Sequence, residues 1–354
     1  MALVSWANAA PISVQRNISS EERVYFVSDL HLGDGSRSDT FNGKDNLLID
    51  LIDRIAEEDA KLVIVGDAID FHQAWSMSRV IRAHALLMRR LSELASEHGV
   101  VYIWGNHDYD ISLFRDLLRF DVCSTLTLDD KILVQHGYEY DPFIGPNLEQ
   151  THLATQIHHL FERVLNTWIR LPLENFYNFE NRLAFWFFHK LALGIDVRDK
   201  MFNKMGKAQW CGKTADHIQY WAMNQIANPS GIFYHAKSFL ESSEYQYLLT
   251  GHSHLPGHVK LDNGKVYINT GSWTFNSAQY ALWDGNDFTV KDHITGTTYT
   301  DRAYQPLIEH RYEHMNFLSW WRENYLGWLR YRVGETGRIK QPNLPQREQH
   351  NESA

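Results

Sequence analysis

The chain has only two cysteines, Cys123 and Cys211. Two thiols cannot make a disulfide framework, so free cysteines in a reducing cytosol are expected. Residues 1–20 contain neither a basic stretch nor a long apolar run, so no signal peptide is expected. No uncharged stretch reaches the roughly 18 to 20 apolar residues needed to span a bilayer. Positive charge is scarce too. The formal net charge is -9, which argues against duplex nucleic acid as a partner, since phosphate backbones select basic faces. No internal repeat is present. These absences leave a soluble, cytoplasmic protein. Its 354 residues suit one large domain or a core with an insertion. Aromatics are abundant instead, with 12 Trp, 17 Tyr and 18 Phe, a surplus that needs a location.

The first half alternates strand-like and helix-like patterns. Arg23-Val24-Tyr25-Phe26-Val27-Ser28 reads as a strand, and Leu48, Leu51, Ile52 and Ile55 recur at helical spacing. Lys61-Leu62-Val63-Ile64-Val65 is a continuous apolar run of buried-strand type. Val80, Leu87, Leu91 and Leu94 mark a second helix and Val100-Val101-Tyr102-Ile103-Trp104 the next strand. A short helix over 113–120 and a strand at Lys131-Ile132-Leu133-Val134 follow. Such alternation predicts an α/β layer. Residues 146–230 switch to helices only, with one apolar stripe at Leu160, Phe161, Val164, Leu165, Trp168 and Ile169 and another over 185–193. Strands return at 245–250, 265–269 and 279–283, with a turn at Asp262-Asn263-Gly264. The expected organisation is a core over 21–145 and 231–300 interrupted by a helical insertion or lid over 146–230. A C-terminal helix over 305–333 carries Leu318, Trp321, Tyr325 and Trp328 on one face, and a polar tail over 335–354 is expected to be disordered.

The informative residues lie just after each strand. The first strand runs into Asp29-Leu30-His31, the second into Gly66-Asp67-Ala68-Ile69-Asp70, and the third into Gly105-Asn106-His107-Asp108. His136-Gly137 and Gly251-His252-Ser253-His254 follow later strands. Ligands of open α/β sheets gather outside the carboxyl ends of strands, so five polar strand ends point to one site. Carboxylate, amide and imidazole donors without a thiolate suit manganese, iron, zinc or cobalt. In the pairs Asp29-x-His31 and His252-x-His254, extended backbone would aim both side chains the same way. Any one of these motifs alone fits a solvated turn; their combination, each at a strand end, does not. His72, His84, His158, His159 and His258 carry no such pattern and are read as ordinary histidines.

Together these motifs resemble the full series of the calcineurin-like metallophosphoesterases over 23–283, less the insertion. The resemblance implies a two-sheet β-sandwich flanked by helices, an α/β fold, and a pair of divalent metals. Manganese is expected first, with iron, zinc, cobalt or magnesium also compatible. It implies that Asp29, His31, Asp67 and His254 hold one metal, and that Asp67 bridges to a second held by Asn106, His136 and His252. Hydroxide between such metals would attack phosphorus in line with the leaving oxygen. His107 would face the substrate, stabilising charge or protonating the leaving group. Asp70 either pairs with His107 or serves as a helix N-cap or turn residue; Asp108 is read as structural.

Within that superfamily the surroundings of the motifs resemble the UDP-2,3-diacylglucosamine diphosphatases. The similar segments are Ser28-Asp29-Leu30-His31-Leu32-Gly33, residues 71–75, and Tyr267-Ile268-Asn269-Thr270-Gly271-Ser272-Trp273. That group's best-known members carry Arg at the position of His107, and they do not require a C-terminal aromatic helix. The resemblance implies a pyrophosphatase acting on a lipid-linked nucleotide, with peripheral contact at the inner membrane. The aromatic stripes then either fill the core or form a cavity or membrane-facing lid for acyl chains. Arg198, Lys200, Lys204, Lys207 and Lys213 are either a solvated basic face or a diphosphate clamp, for which Lys204 and Lys207 are the candidate substrate contacts. The C-terminal helix covers the sandwich, mediates dimerisation or touches anionic headgroups; the sequence leaves the oligomeric state open. The alternatives are a phosphodiesterase or phosphomonoesterase for small soluble substrates or phosphoproteins, and a non-catalytic metal-binding scaffold. Phosphoprotein phosphatases follow the second Asp of their GDxxD segment with Arg-Gly, whereas Phe71-His72 stands here. Scaffold members usually lose ligands, and all seven are present.

Overall fold

The structure, a computed structural model, describes residues 12–19, 21–36, 38–112, 119–142, 144–145, 160, 179–207, 229–274, 277–309 and 318–319. Thirteen strands are described: β1 (Ser13–Arg16), β2 (Val24–Val27), β3 (Lys61–Val65), β4 (Val100–Ile103), β5 (Asp121–Cys123), β6 (Thr125–Leu128), β7 (Ile132–Val134), β8 (Tyr247–Thr250), β9 (Gly257–Lys260), β10 (Val266–Asn269), β11 (Gln279–Trp283), β12 (Phe288–Asp292) and β13 (Thr298–Tyr299). They form a seven-stranded sheet ordered β13-β12-β11-β2-β3-β4-β5 and a six-stranded sheet ordered β1-β6-β7-β8-β10-β9. In the first sheet β2, β3, β4 and β5 run parallel, while β11 joins β2 antiparallel. In the second, β7, β8 and β10 run parallel.

Continuous apolar strands make this arrangement because both faces of each sheet are covered. Val24, Phe26, Val63, Val65, Val101 and Ile103 face the other sheet and meet Leu126, Ile132, Val134, Leu249 and Ile268. The alternate residues Tyr25, Val27, Leu62, Ile64 and Tyr102 lie under α1 (Asp45–Glu57) and a helix pair described below. α1 buries Leu48, Leu51, Ile52 and Ile55, the stripe that its spacing predicts. The outer face of the second sheet is covered by Ile232, Phe233, Ala236 and Leu240 of a helix over Pro229–Ser242. The result is a two-sheet sandwich flanked by helices, the α/β fold expected from the sequence.

Several details differ from the sequence reading. β1 lies before residue 21 and pairs with β6 at the sheet edge. Its alternating exposed and half-buried pattern carries no apolar run, which is why it escapes a hydrophobicity reading. After the short α2 (Phe71–Ala74), the helix expected around Val80 to Leu94 is two helices, α3 (Met77–Ala83) and α4 (Ala85–Glu97). The break falls at His84, whose ring lies between Asp39 (Nε2, 3.1 Å) and Asp45 (Nδ1, 2.8 Å). Of residues 146–230, expected to be an insertion, α5 (Phe179–Lys204) and the first two residues of α6 (Pro229–Ser242) are among those described, and Ile195 of α5 reaches the core. Leu160 is half exposed, while the rest of its stripe and the 113–118 part of the expected short helix lie outside the described residues. α7 (Gln305–Ile308) has only four residues. Leu318 is buried against α6, whereas Trp321, Tyr325, Trp328 and the tail over 335–354 lie outside the described residues. Cys123 is a buried free thiol; Cys211 is also outside them. No helix among the described residues is long and apolar enough to cross a membrane.

Burial opposes the charge on His84, but the carboxylates of Asp39 and Asp45 bond both ring nitrogens and raise its pKa to about 9. An unfolded histidine titrates near 6.5. The ion pair therefore stabilises the fold fully below about pH 6.5, and this contribution is lost as the pH rises through about 9. Its size is on the order of 3 kcal/mol. Urea unfolding at pH 6 and pH 9.5 should show the native protein losing its advantage over His84→Gln across that interval. A constant difference between the two proteins would refute the assignment.

Candidate metal centre

The polar residues sit at the seam between the sheets. Asp29 and His31 follow β2, Asp67 and Asp70 follow β3, and Asn106 and His107 follow β4, three adjacent strands of the first sheet. His136 follows β7, and His252 and His254 follow β8, two adjacent strands of the second. The loops zip together beyond the strands: Asp29 N donates to Gly66 O (3.0 Å), His31 N to Asp67 O (2.9 Å) and Gly251 N to His136 O (2.8 Å). His252 N donates to Asp29 Oδ2 (2.9 Å), which ties one sheet to the other through a carboxylate.

Three groups of side chains result among the described residues, one of them His31, Asp70 and His107. Ligand atoms of Asp29, His31 and His254 lie within 4.8 Å of one another, as do those of Asp67, His136 and His252. His254 Nε2 stands 3.0 Å from Asp29 Oδ1, and His136 Nε2 stands 3.2 Å from Asp67 Oδ2. His31 Nε2 is 3.9 Å from both Asp29 Oδ1 and Asp67 Oδ2, so these last two groups adjoin. Asn106 is buried beside them.

Expectation and structure part over the backbone. The two-residue spacing of Asp29-x-His31 and His252-x-His254 predicts extended backbone, but Asp29 (φ 51°), His31 (51°), Asp67 (51°), His252 (62°) and His254 (55°) all occupy the left-handed region. Asp and His tolerate that region better than bulky or branched residues do, and clustered outliers mark sites whose surroundings over-determine the chain. Space is as restricted as conformation. A Cβ on Gly105 would overlap the Asp67 carboxylate, and one on Gly66 (φ 81°) would enter the His136 ring.

Three of the ring nitrogens are held by partners. His31 Nδ1 meets Asp70 Oδ2 (3.2 Å), His136 Nδ1 meets Val65 O (2.7 Å), and His252 Nε2 meets Asp141 Oδ2 (3.0 Å). Partners of this kind fix the tautomer and orientation of metal-binding imidazoles. Asp70 fills both roles left open by the sequence. Its Oδ1 lies 3.1 Å from His107 Nδ1 and also accepts from Gln73 N (3.0 Å), capping α2. Asp141 was not singled out in the sequence, since it belongs to no motif and reaches His252 only through the turn after His136. His72, read as an ordinary histidine, is buried with its ring 4.9 Å from that of His107. Lys204 and Lys207 are exposed, but α5 ends at Lys204 and Gly206 (φ 68°) turns the chain before Lys207, so the two do not share a helix face; Lys213 is outside the described residues.

Burial by itself would raise the carboxyls of Asp29 and Asp67. The imidazoles of His254 and His136 around Asp29, and of His136, His107 and His31 around Asp67, reverse this and hold both below the usual value. His136, against the pull of burial, is raised to about 10 by Asp67 and Asp29. Burial holds His31 below its usual value, which favours the neutral imidazole that a metal needs. Among the buried polar atoms of the described residues that make no hydrogen bond are four of this site, Asp29 Oδ1, His31 Nε2, Asn106 Oδ1 and His136 Nε2, although Asp29 Oδ1 and His136 Nε2 each face an opposite group at ion-pair distance. Orphaned buried polar atoms are rare, and an ion is one thing that satisfies them. All four belong to the seven residues read from the sequence as ligands, so the donor set fits divalent cations.

The calcineurin-like phosphoesterase family matches residues 22–256, about two thirds of the chain. This chain is a member of that family. It is therefore a metal-dependent phosphoester hydrolase. Among solved structures it is similar to a dimetal phosphatase from Danio rerio, at 16% identity and a TM-score of 0.41, covering 79% of this chain and 99% of that one. It is also similar to a Vps29 single mutant from Entamoeba histolytica, at 12% identity and a TM-score of 0.32, covering 78% of this chain and 95% of that one. Vps29 from Cryptosporidium parvum matches at 12% identity and a TM-score of 0.32, covering 78% and 94%. No curated protein matches the chain.

Asp108 pins the loops of this family site together. Its carboxylate accepts from Ala68 N (2.7 Å), Gly105 N (2.7 Å) and Tyr102 OH (2.5 Å). Burial and the charge of Asp67 push its pKa up to about 6. Removing it strands three buried donors, so Asp108→Ala should cost on the order of 3 kcal/mol or more. Urea denaturation in the presence of a chelator measures this; a loss under ~1 kcal/mol would contradict it.

Proposed function

We propose that this hydrolase cleaves a pyrophosphate bond in an amphiphilic, lipid-linked nucleotide of the UDP-2,3-diacylglucosamine type. One surface carries this reading. Val197 and Met201 of α5 and Met205 just after its end stand four residues apart and are 64%, 51% and 56% exposed, with exposed Lys204 and Lys207 in the same segment. An apolar strip flanked by ammonium groups suits a ligand with both acyl chains and a diphosphate. The resemblance of the motif surroundings to the diphosphatase group supports the same substrate, and peripheral contact with a membrane would bring the two together.

Asp29, His31, Asp67 and His254 would hold one divalent ion, and Asp67, Asn106, His136 and His252 the other, manganese being the first choice. When bound, such ions supply Lewis acidity and neutralise charge on the phosphoryl group. The protein's own part falls to His107 and Asp70. Asp70 pairs with His107 Nδ1, and in the imidazolium form, where both nitrogens carry a proton, Nε2–H can then be donated toward a phosphoryl oxygen or the departing oxygen. The same carboxylate holds His31, so one side chain sets both a metal ligand and the acid. A second reading, a small soluble phosphoester as substrate, is favoured by His107 standing where the diphosphatase group has Arg.

With manganese, the native protein should hydrolyse bis-p-nitrophenyl phosphate, and Asp67→Asn should fall to background. Full activity in chelator would sink the site assignment. Rates on UDP-2,3-diacylglucosamine should exceed those on a non-acylated UDP-sugar; equal rates would decide for the soluble substrate. Lys204→Ala and Lys207→Ala should each raise KM for the diphosphate up to about tenfold, the size of one charge-assisted contact. Unchanged KM in both would remove the clamp.

A further inference from the structure

The seven candidate ligands do not hold themselves in place, and His252 is the most elaborately held. Its backbone has φ 62°, and its N donates to Asp29 Oδ2 at 2.9 Å. Its ring meets that of His136 edge-on at 5.2 Å, and Nε2 lies 3.0 Å from Asp141 Oδ2. His252 and Asp141 are 3% and 1% exposed, so water does not compete for this bond. Asp141 is fixed in turn. Its N donates to Tyr138 O (3.0 Å), its Oδ1 accepts from Ile144 N (3.1 Å) and its carbonyl accepts from Gly145 N (2.9 Å).

We propose that Asp141 is a positioning residue for the second metal: by accepting Nε2–H of His252 it holds that imidazole in the tautomer that offers Nδ1 to the ion. The inference rests on the two-metal reading above and not on the choice of substrate. Its physical basis is that a neutral imidazole carries one proton. A carboxylate can only accept, so a proton bonded to Asp141 sits on Nε2 and leaves a lone pair at Nδ1. Asp141 stands five residues beyond His136 on one short segment. That segment thus delivers one ligand of the Asp67–His136–His252 group directly and orients another.

Asp141→Asn is a sharp test because the amide cannot satisfy both neighbours. With its oxygen on Ile144 N, its NH2 faces His252 Nε2 and favours the opposite tautomer; turned over, it loses the Ile144 bond. Manganese binding should be measured by isothermal titration on the full chain, with thermal unfolding in chelator as the control for folding. Two ions should bind the native protein. In Asp141→Asn the weaker site should lose about 10- to 100-fold in affinity, while the other stays within about twofold. Activity on bis-p-nitrophenyl phosphate should recover toward the native kcat as manganese is raised, which a merely structural lesion would not do. Native affinity at both sites, or equal loss at both, would overturn the proposal. Should Asp141→Asn not fold, Asp141→Glu keeps the carboxylate but displaces it, and should weaken the same site by a smaller factor; native affinity there would overturn the proposal equally. Fewer than two ions on the native chain would instead overturn the two-metal reading beneath it.

Discussion

Two carboxylates, Asp29 and Asp67, are buried at the seam of two sheets, and most of the surrounding structure follows from having to keep them there. Moving a carboxylate out of water costs several kcal/mol even after relaxation. Backbone donors offset part of this: His252 N to Asp29 Oδ2 and His107 N to Asp67 Oδ1 (2.8 Å). Imidazoles supply the rest. Because His136 and His254 come from the second sheet while the carboxylates come from the first, the attraction also clamps the sandwich across its open end. A site that needs positive charge this strongly is already shaped for cations, which meets the four orphaned atoms with the group they lack.

That demand explains the backbone. Five ligands stand in the left-handed region, each at a cost of order 1–3 kcal/mol for a residue with a Cβ. Regular strands would send alternate side chains to opposite faces. A left-handed residue directly after the strand turns the chain so that its side chain meets those from the neighbouring strands. Gly66 and Gly105 serve the same end, since the Asp67 carboxylate and the His136 ring occupy the space a Cβ would need. Asp108 then closes the gap between the β3 and β4 loops with bonds that an exposed loop would make to water.

What could be read from the sequence has a common physical origin. Buried parallel strands are short, uniform apolar runs, so Lys61–Val65 and Val100–Ile103 stand out, and the polar residues after each are conspicuous by contrast. Where a residue's role depends on neighbours distant in the chain, nothing local announces it. Asp141 lies 111 positions from His252, and His72 looks like any helical histidine until the fold sets it beside His107. β1 is legible only through its pairing with β6. The break at His84 depends on Asp39 and Asp45 drawing the ring inward. Local pattern located the chemistry; the supports of that chemistry are tertiary.

The chain order adds a last step. His136 and Asp141 precede residues 146–230, and α6 leads into β8 and His252. That stretch is thus bracketed by residues of the Asp67–His136–His252 group, while Asp29 and His31 follow β2, early in the chain. The Asp141 turn on one side and α6 with β8 on the other tie the chain flanking that stretch to this group, whereas any link onward to Asp29 and His31 crosses between the sheets, as His252 N to Asp29 Oδ2 does.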